Sequence, residues 1–228
     1  MIRQMSDRFR AKRDVQLKSL IDTIHAERGT VNVLDMGGTV EYWRRVGFDY
    51  LRRRGVRITL LNLHATELGD GPPDLFEMAV GDACDLRQFA DHSFDLTHSN
   101  SVIEHVRTWD AMRAFARETR RVGRHYYLQT PNYWFPIDPH YYRFPMFHWL
   151  PRPTRAAMFR RLPIAHVGKV ECWDKAYEMT DASRLLSRRQ LEVLMPGARI
   201  EAERMAGLAK SFVCTTRTPA SSVGSRHQ

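Results

Sequence analysis

Cysteine is scarce in this chain. Cys84, Cys172 and Cys214 are the three among 228 residues, and they stand far apart with no C-x-x-C pair. That spacing argues against both a zinc site and a disulfide framework. No apolar run approaches the roughly 20 residues needed to cross a bilayer. The basic start, Met1 to Arg13, lacks the apolar core of a signal peptide, so a cytoplasmic protein is expected. Acidic residues are in deficit, 26 against 35 Lys plus Arg, for a net charge of +9. Such an excess suits nucleic acid or an anionic membrane. The arginine clusters at Arg52–Arg54, Arg120–Arg124 and Arg188–Arg189, however, fall near expected helix ends, where cations complement the macrodipole. The charge is therefore read as solvated helix faces, and nucleic acid is not expected as a partner. A G-x-G-x-x-G series is also missing after Gly37, which argues against a nicotinamide dehydrogenase.

What is present is an ordinary globular balance, 43% hydrophobic and 27% charged, enough for one domain with a sizeable core. The chain is organised around 31–39, where Val31, Val33 and Leu34 form a β-favouring run that ends at Asp35 and passes into Gly37 and Gly38. Tyr42, Trp43, Val46 and Tyr50 then recur at helical spacing up to Arg52–Arg54. Before this unit, 6–28 reads as a helix with a stripe of Phe9, Val15, Leu17, Leu20, Ile21 and Ile24, stopped by Gly29. After it, strands are expected at 57–63, 76–80, 94–98 and 125–130, with a helix over 109–122.

From about 131 to 168, aromatic residues and prolines crowd together, too proline-rich for a plain helix or central strand. This stretch is expected as an insertion over the sheet. A helix at 184–195 and strands at 199–203 and 211–217 close a domain spanning 1–218, and 219–228 reads as a disordered tail. Alternating strands and helices indicate an open, mostly parallel α/β sheet with helices on both faces. Its ligands should lie beyond the strand ends, where Asp35, Asn62, Asp82, Asn100 and Asn132 fall.

These strand-end segments carry a family resemblance. Val-Leu-Asp-Met-Gly-Gly-Thr (33–39), Leu-Leu-Asn-Leu (60–63), Gly-Asp-Ala (81–83), Phe-Asp-Leu-Thr-His-Ser-Asn-Ser-Val-Ile-Glu-His-Val (94–106) and Gln-Thr-Pro-Asn (129–132) occur in family order. The set resembles the class I S-adenosylmethionine-dependent methyltransferases, in particular the type 11 small-molecule branch. The resemblance implies a Rossmann-like seven-stranded sheet whose last strand is antiparallel, with S-adenosylmethionine as cofactor. It implies that Asp35, Gly37, Gly38 and Thr39 form the loop beside the cofactor's methionine part. Asn62 would take the ribose, Asp82 and Ala83 the adenine, and Asn100 the floor between cofactor and acceptor.

Two departures stand out. The family pattern D-x-G-x-G-x-G has Thr39 and Glu41 at its second and third glycines, and Thr39 suits a helix cap instead. Asn62 replaces the usual acid, at a cost of about 1 kcal/mol in ribose binding.

A hydroxyl acceptor needs a base, and His105, following the fourth strand, is the expected one. Some relatives bind magnesium through E-x-x-E-H in this segment. Ser101 stands here for the first acid, so Glu104 and His105 alone make a poor site and no metal is expected. Asn132, His140, Phe147, His148 and Trp149 are expected to line a pocket for an apolar or amphipathic small acceptor. A tip of Phe144, Phe147 and Trp149, flanked by Arg143 and Arg152, could touch an anionic membrane. Two other readings stay open: an RNA or protein methyltransferase, and a catalytically inactive cofactor-binding scaffold. The sequence leaves the oligomeric state open.

Overall fold

The computed structural model describes residues 2–67, 69–164 and 168–217; the expected tail at 219–228 lies outside them. Helix α1 (Ile2–Arg28) ends where Gly29 takes a left-handed φ of 79° and donates its N–H to His25 O. Strands β1 (Val31–Met36), β2 (Val56–Asn62), β3 (Phe76–Val80), β4 (Phe94–Asn100), β5 (Gly123–Pro131), β6 (Arg199–Met205) and β7 (Leu208–Thr215) form one sheet. Its order is β3-β2-β1-β4-β5-β7-β6, and β7 alone runs against the direction of the other six strands. The seven-stranded, mostly parallel α/β sheet expected above is therefore present.

Both sheet faces are buried, which follows from the alternation within β1. Val31 and Val33 point to one face and pack with Leu17, Ile21 and Ile24 of α1 and with Trp43. Leu34 and Met36 point to the other, against Met112 and Phe115 of α4 (Trp109–Val122) and Leu191 of α7 (Arg188–Leu194). Val15, expected in the stripe of α1, lies off the buried face and is exposed.

The structure corrects several element boundaries. The helix expected from Tyr42 to Arg54 is broken into α2 (Val40–Val46) and α3 (Phe48–Arg53), because Gly47 adopts φ 109°. No helix spans the described residues between β3 and β4. The connection is instead held by α4: Arg121 donates to Leu86 O at 2.8 Å, Phe89 O at 2.9 Å and Asp91 at 2.7 Å. Glu118 accepts from Leu86 N at 3.2 Å and from Arg121 at 2.7 Å. The helix expected at 184–195 begins only at Arg188, behind a Ser187–Gln190 capping box. Arg188 and Arg189 thus sit at a helix start, not at an end, and Arg188 is paired with Glu192 at 3.0 Å.

The insertion is not a helix-free cover. It contains α5 (Arg152–Arg161), and a further helix, α6 (Trp173–Thr180), follows it. Pro153 lies in the first turn of α5, where a missing N–H costs nothing. The two helices enclose a core of their own, made of Tyr141, Phe147, Ala156, Phe159, Ile164, Val170 and Ala176, separate from the two sheet cores.

One buried carboxylate ties β1, α2 and β4 together. Asp35 is fully buried; it accepts from Trp43 Nε1 at 2.6 Å and lies 2.7 Å from His98 Nδ1. His98 Nε2 lies 3.1 Å from the Tyr42 hydroxyl. A neutral ring satisfies both contacts when Nδ1–H donates to Asp35 and Nε2 accepts from Tyr42. Burial, and then the Asp35 charge, push the Tyr42 phenol well above its ordinary pKa, so it keeps its proton for this bond. Replacing Asp35 by Ala strands two buried donors. Asp35→Ala is expected to lose about 3–5 kcal/mol in a urea melt, and Asp35→Asn less, since its oxygen still accepts one bond. Equal, small losses for both would show that the carboxylate is not the tie.

Candidate functional site

The sheet order reverses between β1 and β4, and the C-terminal ends of β3, β2, β1 and β4 stand side by side. Their polar groups therefore form a row in the order Asp82, Asn62, the 37–39 loop, Asn100. The loop is held tightly. Gly37 N donates to Leu61 O at 2.8 Å, and Asn62 Nδ2 donates to Gly38 O at 2.9 Å. Gly37 has φ 75°, and a Cβ there would sit 2.7 Å from Val102. A Cβ on Gly38 would sit 1.6 Å from the Asp35 carboxylate. The second glycine thus makes room for the buried acid. Thr39 is the helix cap expected of it, accepting from Tyr42 N at 3.3 Å.

Asp35 is committed to Trp43 and His98, so its contribution to a ligand runs through the loop it holds. Asp82 is exposed and forms a turn, Oδ1 accepting from Cys84 N at 2.8 Å; Ala83 beside it is half-buried. Asn100 Oδ1 accepts from Arg13 Nη1 at 3.2 Å, and Arg13 Nε is 3.6 Å from Glu203. Arg13 brings a guanidinium to the end of β4 from α1. No motif marks it in the sequence. Arg13 and Asn100 lie at one end of the row, Asn62 near the middle, and the Asp82 acceptor at the other.

Beyond Asn100 the chain turns sharply. Ser101 has φ 59°, and its hydroxyl donates to Gln129 Oε1 at 2.8 Å. Val102 packs on Gly37, and Ile103–His105 form one 3-10 turn. Glu104 is fully buried; its Oε2 accepts from Thr130 at 2.9 Å, and its Oε1 has no partner among the described residues. Burial pushes its pKa up to about 7.

His105 reaches the cap on both sides of its ring. Nδ1 is 3.0 Å from Ala182 O, and Nε2 is 3.1 Å from His140 Nε2. His140 Nδ1 is 2.7 Å from Asp138 Oδ1. Burial lowers the His105 pKa, and the neighbouring His140 adds to this against the bond to Ala182. Burial also disfavours charge on His140, but the hydrogen bond and charge of Asp138 more than offset it and hold its pKa above the ordinary value. Of the two rings, His140 therefore takes up a proton more readily than His105.

Glu104, His105 and His140 each offer one ligand atom, all within 4.8 Å of one another. The expectation of no metal weighed only the first two. Two imidazoles and one carboxylate suit a late transition ion better than magnesium.

The expected pocket residues divide. His140 joins His105, and His148 lines a cavity of about 750 Å³ together with Arg107, Tyr133, Trp134, Arg155 and Arg184. Phe147 is not a wall: it is fully buried in the cap core, which also removes it from the expected membrane tip. Asn132 is spent on structure, donating to Ala209 O at 2.7 Å and accepting from Trp134 N at 3.1 Å. Trp149 is exposed, with its Nε1 donating to Tyr133 O at 2.8 Å.

Residues 37–126 match a family model described as a methyltransferase domain. A search of curated proteins finds no match. Among solved structures, the chain is similar to a possible exported protein from Bordetella parapertussis. That match has a TM-score of 0.54 and 14% identity, and covers 92% of this chain and 68% of that one. It is also similar to the N-methyltransferase NodS from Bradyrhizobium japonicum WM9, with a TM-score of 0.49 and 12% identity over 93% and 97% of the two chains. The [4+2]-cyclase SpnF matches with a TM-score of 0.47 and 14% identity over 80% of this chain, which spans 57% of the cyclase's length. The family match thus spans the strand-end segments from the 37–39 loop to β5, and the sheet around them has the order those motifs imply.

Proposed function

We propose that the protein transfers a methyl group from S-adenosylmethionine to a hydroxyl of a small amphipathic acceptor, with His105 as the base. The observation that carries this reading is the placement of His105, its Nδ1 3.0 Å from Ala182 O and its Nε2 3.1 Å from His140 Nε2, just past the turn where Val102 packs on Gly37. The family match and the row of strand-end groups support the cofactor. When bound, that cofactor supplies a methyl on a positively charged sulfur, which becomes a neutral thioether on transfer.

The chain's own work is positioning and proton handling. Arg13 and Asn100 would hold the cofactor's carboxylate end, Asn62 a ribose hydroxyl, and Asp82 with Ala83 the adenine edge. The cap would exclude water and align the acceptor oxygen with the methyl. For the O–H proton to pass to His105 Nε2 as the O–CH3 bond forms, the acceptor hydroxyl takes the place of His140 against that nitrogen, while the Nδ1–H bond to Ala182 O keeps the ring in position.

Calorimetry should show one site for S-adenosylmethionine. Asp82→Ala should weaken it by about 1.5–3 kcal/mol, roughly 10- to 100-fold, through loss of a charge-assisted bond to the adenine amine. A folded protein that binds neither the cofactor nor its demethylated product would refute the reading. Binding without transfer to any acceptor would favour the scaffold reading.

The base has its own test. His105→Ala should lower transfer of labelled methyl by about 100-fold or more while cofactor affinity holds. Because the pKa of His105 lies below the ordinary 6.5, wild-type activity should fall only at pH values under that figure, as the ring gains its proton. Dialysis against a chelator should leave activity unchanged. Its loss, and recovery with a transition ion, would reassign Glu104, His105 and His140 to metal binding.

A further inference from the structure

We propose that the cavity behind His105 is an oxyanion site and that the acceptor carries a phosphoryl or carboxylate group. The proposal rests on the methyl-transfer reading above and names the substrate class for it. Arg107, Arg155 and Arg184 line one cavity of about 750 Å³.

Many arginines are matched with carboxylates, as in Arg28–Asp95, Arg45–Asp14, Arg54–Asp22 and Arg121–Asp91; what distinguishes Arg107, Arg155 and Arg184 is that they line one hollow together. The side chains of Arg107 and Arg184 make no ion pair or hydrogen bond among the described residues. Arg155 spends Nη1 on Thr180 O at 3.0 Å, and its Nε is buried without a partner among those residues. The one carboxylate in the wall, Asp181, is engaged by Arg152 at 2.6 and 3.0 Å. His148 Nδ1, also in the wall, is likewise buried and unpartnered among the described residues.

Three cations and unspent polar atoms facing one hollow are the recognition set for an oxyanion, which guanidinium groups bind through paired N–H donors. The lining also holds aromatic rings: Trp134 is exposed and lies against Tyr133, ring centroids 4.9 Å apart, which gives a ring or short chain a surface to rest on while its anionic end meets the arginines. The cavity also adjoins the base. Arg184 N donates to Glu104 O at 2.6 Å, and Arg107 lies two residues past His105. A molecule anchored by its oxyanion would therefore hold a hydroxyl near His105 at the far end of a small ring.

Phenyl phosphate, benzoate and phenol test the site by calorimetry on the full chain. Phenyl phosphate should bind saturably, and more weakly at high salt, while phenol should show no binding. Benzoate binding more tightly than phenyl phosphate would also support the site and make the group a carboxylate. Arg107→Gln with Arg184→Gln, both exposed positions, should weaken anion binding at least tenfold. The exposed control pair Arg113→Gln with Arg117→Gln should not. Equal weakening by the control pair, or phenol binding as well as phenyl phosphate, would overturn the proposal. S-adenosylmethionine titrated into the same samples separates the two claims. Cofactor binding without anion binding refutes only the oxyanion site, and the reverse refutes only the methyl-transfer reading.

Discussion

The site depends on the burial of a single carboxylate. Asp35 sits at the end of β1 with no exposure, bonded to Trp43 on α2 and to His98 on β4, and through His98 to Tyr42. A buried charge is tolerated only where such donors satisfy it. The same carboxylate occupies the space a side chain at Gly38 would need. One interaction thus fixes the entry of α2, the seam between β1 and β4 and the path of the glycine loop. The departures from the family's glycine pattern become intelligible here. Thr39 caps α2, and Asn62 braces Gly38 O, so side-chain bonds hold a loop that further glycines would leave freer.

Much of the sheet was legible in the sequence because its signals are local. β3 and α4 fall at their expected bounds. The run Phe76–Val80 is short and bracketed by loop residues, and α4 has a clear helical span whose start the structure caps with Thr108. The cap was illegible for the opposite reason. Prolines that exclude a helix from the middle of a segment also begin one, and Pro153 does the latter. Phe147 looked like a pocket aromatic because composition does not distinguish a wall from a small core.

The site was half legible. Strand-end residues could be named because parallel sheets place ligands there. The partners of His105 could not, since His140 and Ala182 lie 35 and 77 residues away along the chain. Arg13 was hidden by residing on a helix whose apolar stripe explained itself. The three arginines of the cavity are scattered over 107–184 and read only as excess charge until the fold gathers them.

The cap's private core has a consequence for how such a molecule can diversify. Its apolar residues are shared with neither sheet core. It meets the turn after β4 through the bond from Arg184 N to Glu104 O and the ring contacts of His105 with Ala182 and His140. Substitutions inside it can reshape the hollow without disturbing the seam that holds Asp35. On the proposed methyl-transfer reading, the chain is organised as a fixed chassis for the donor and an exchangeable cassette for the acceptor. Selection for a new substrate can act on the cassette while the chassis stays as it is.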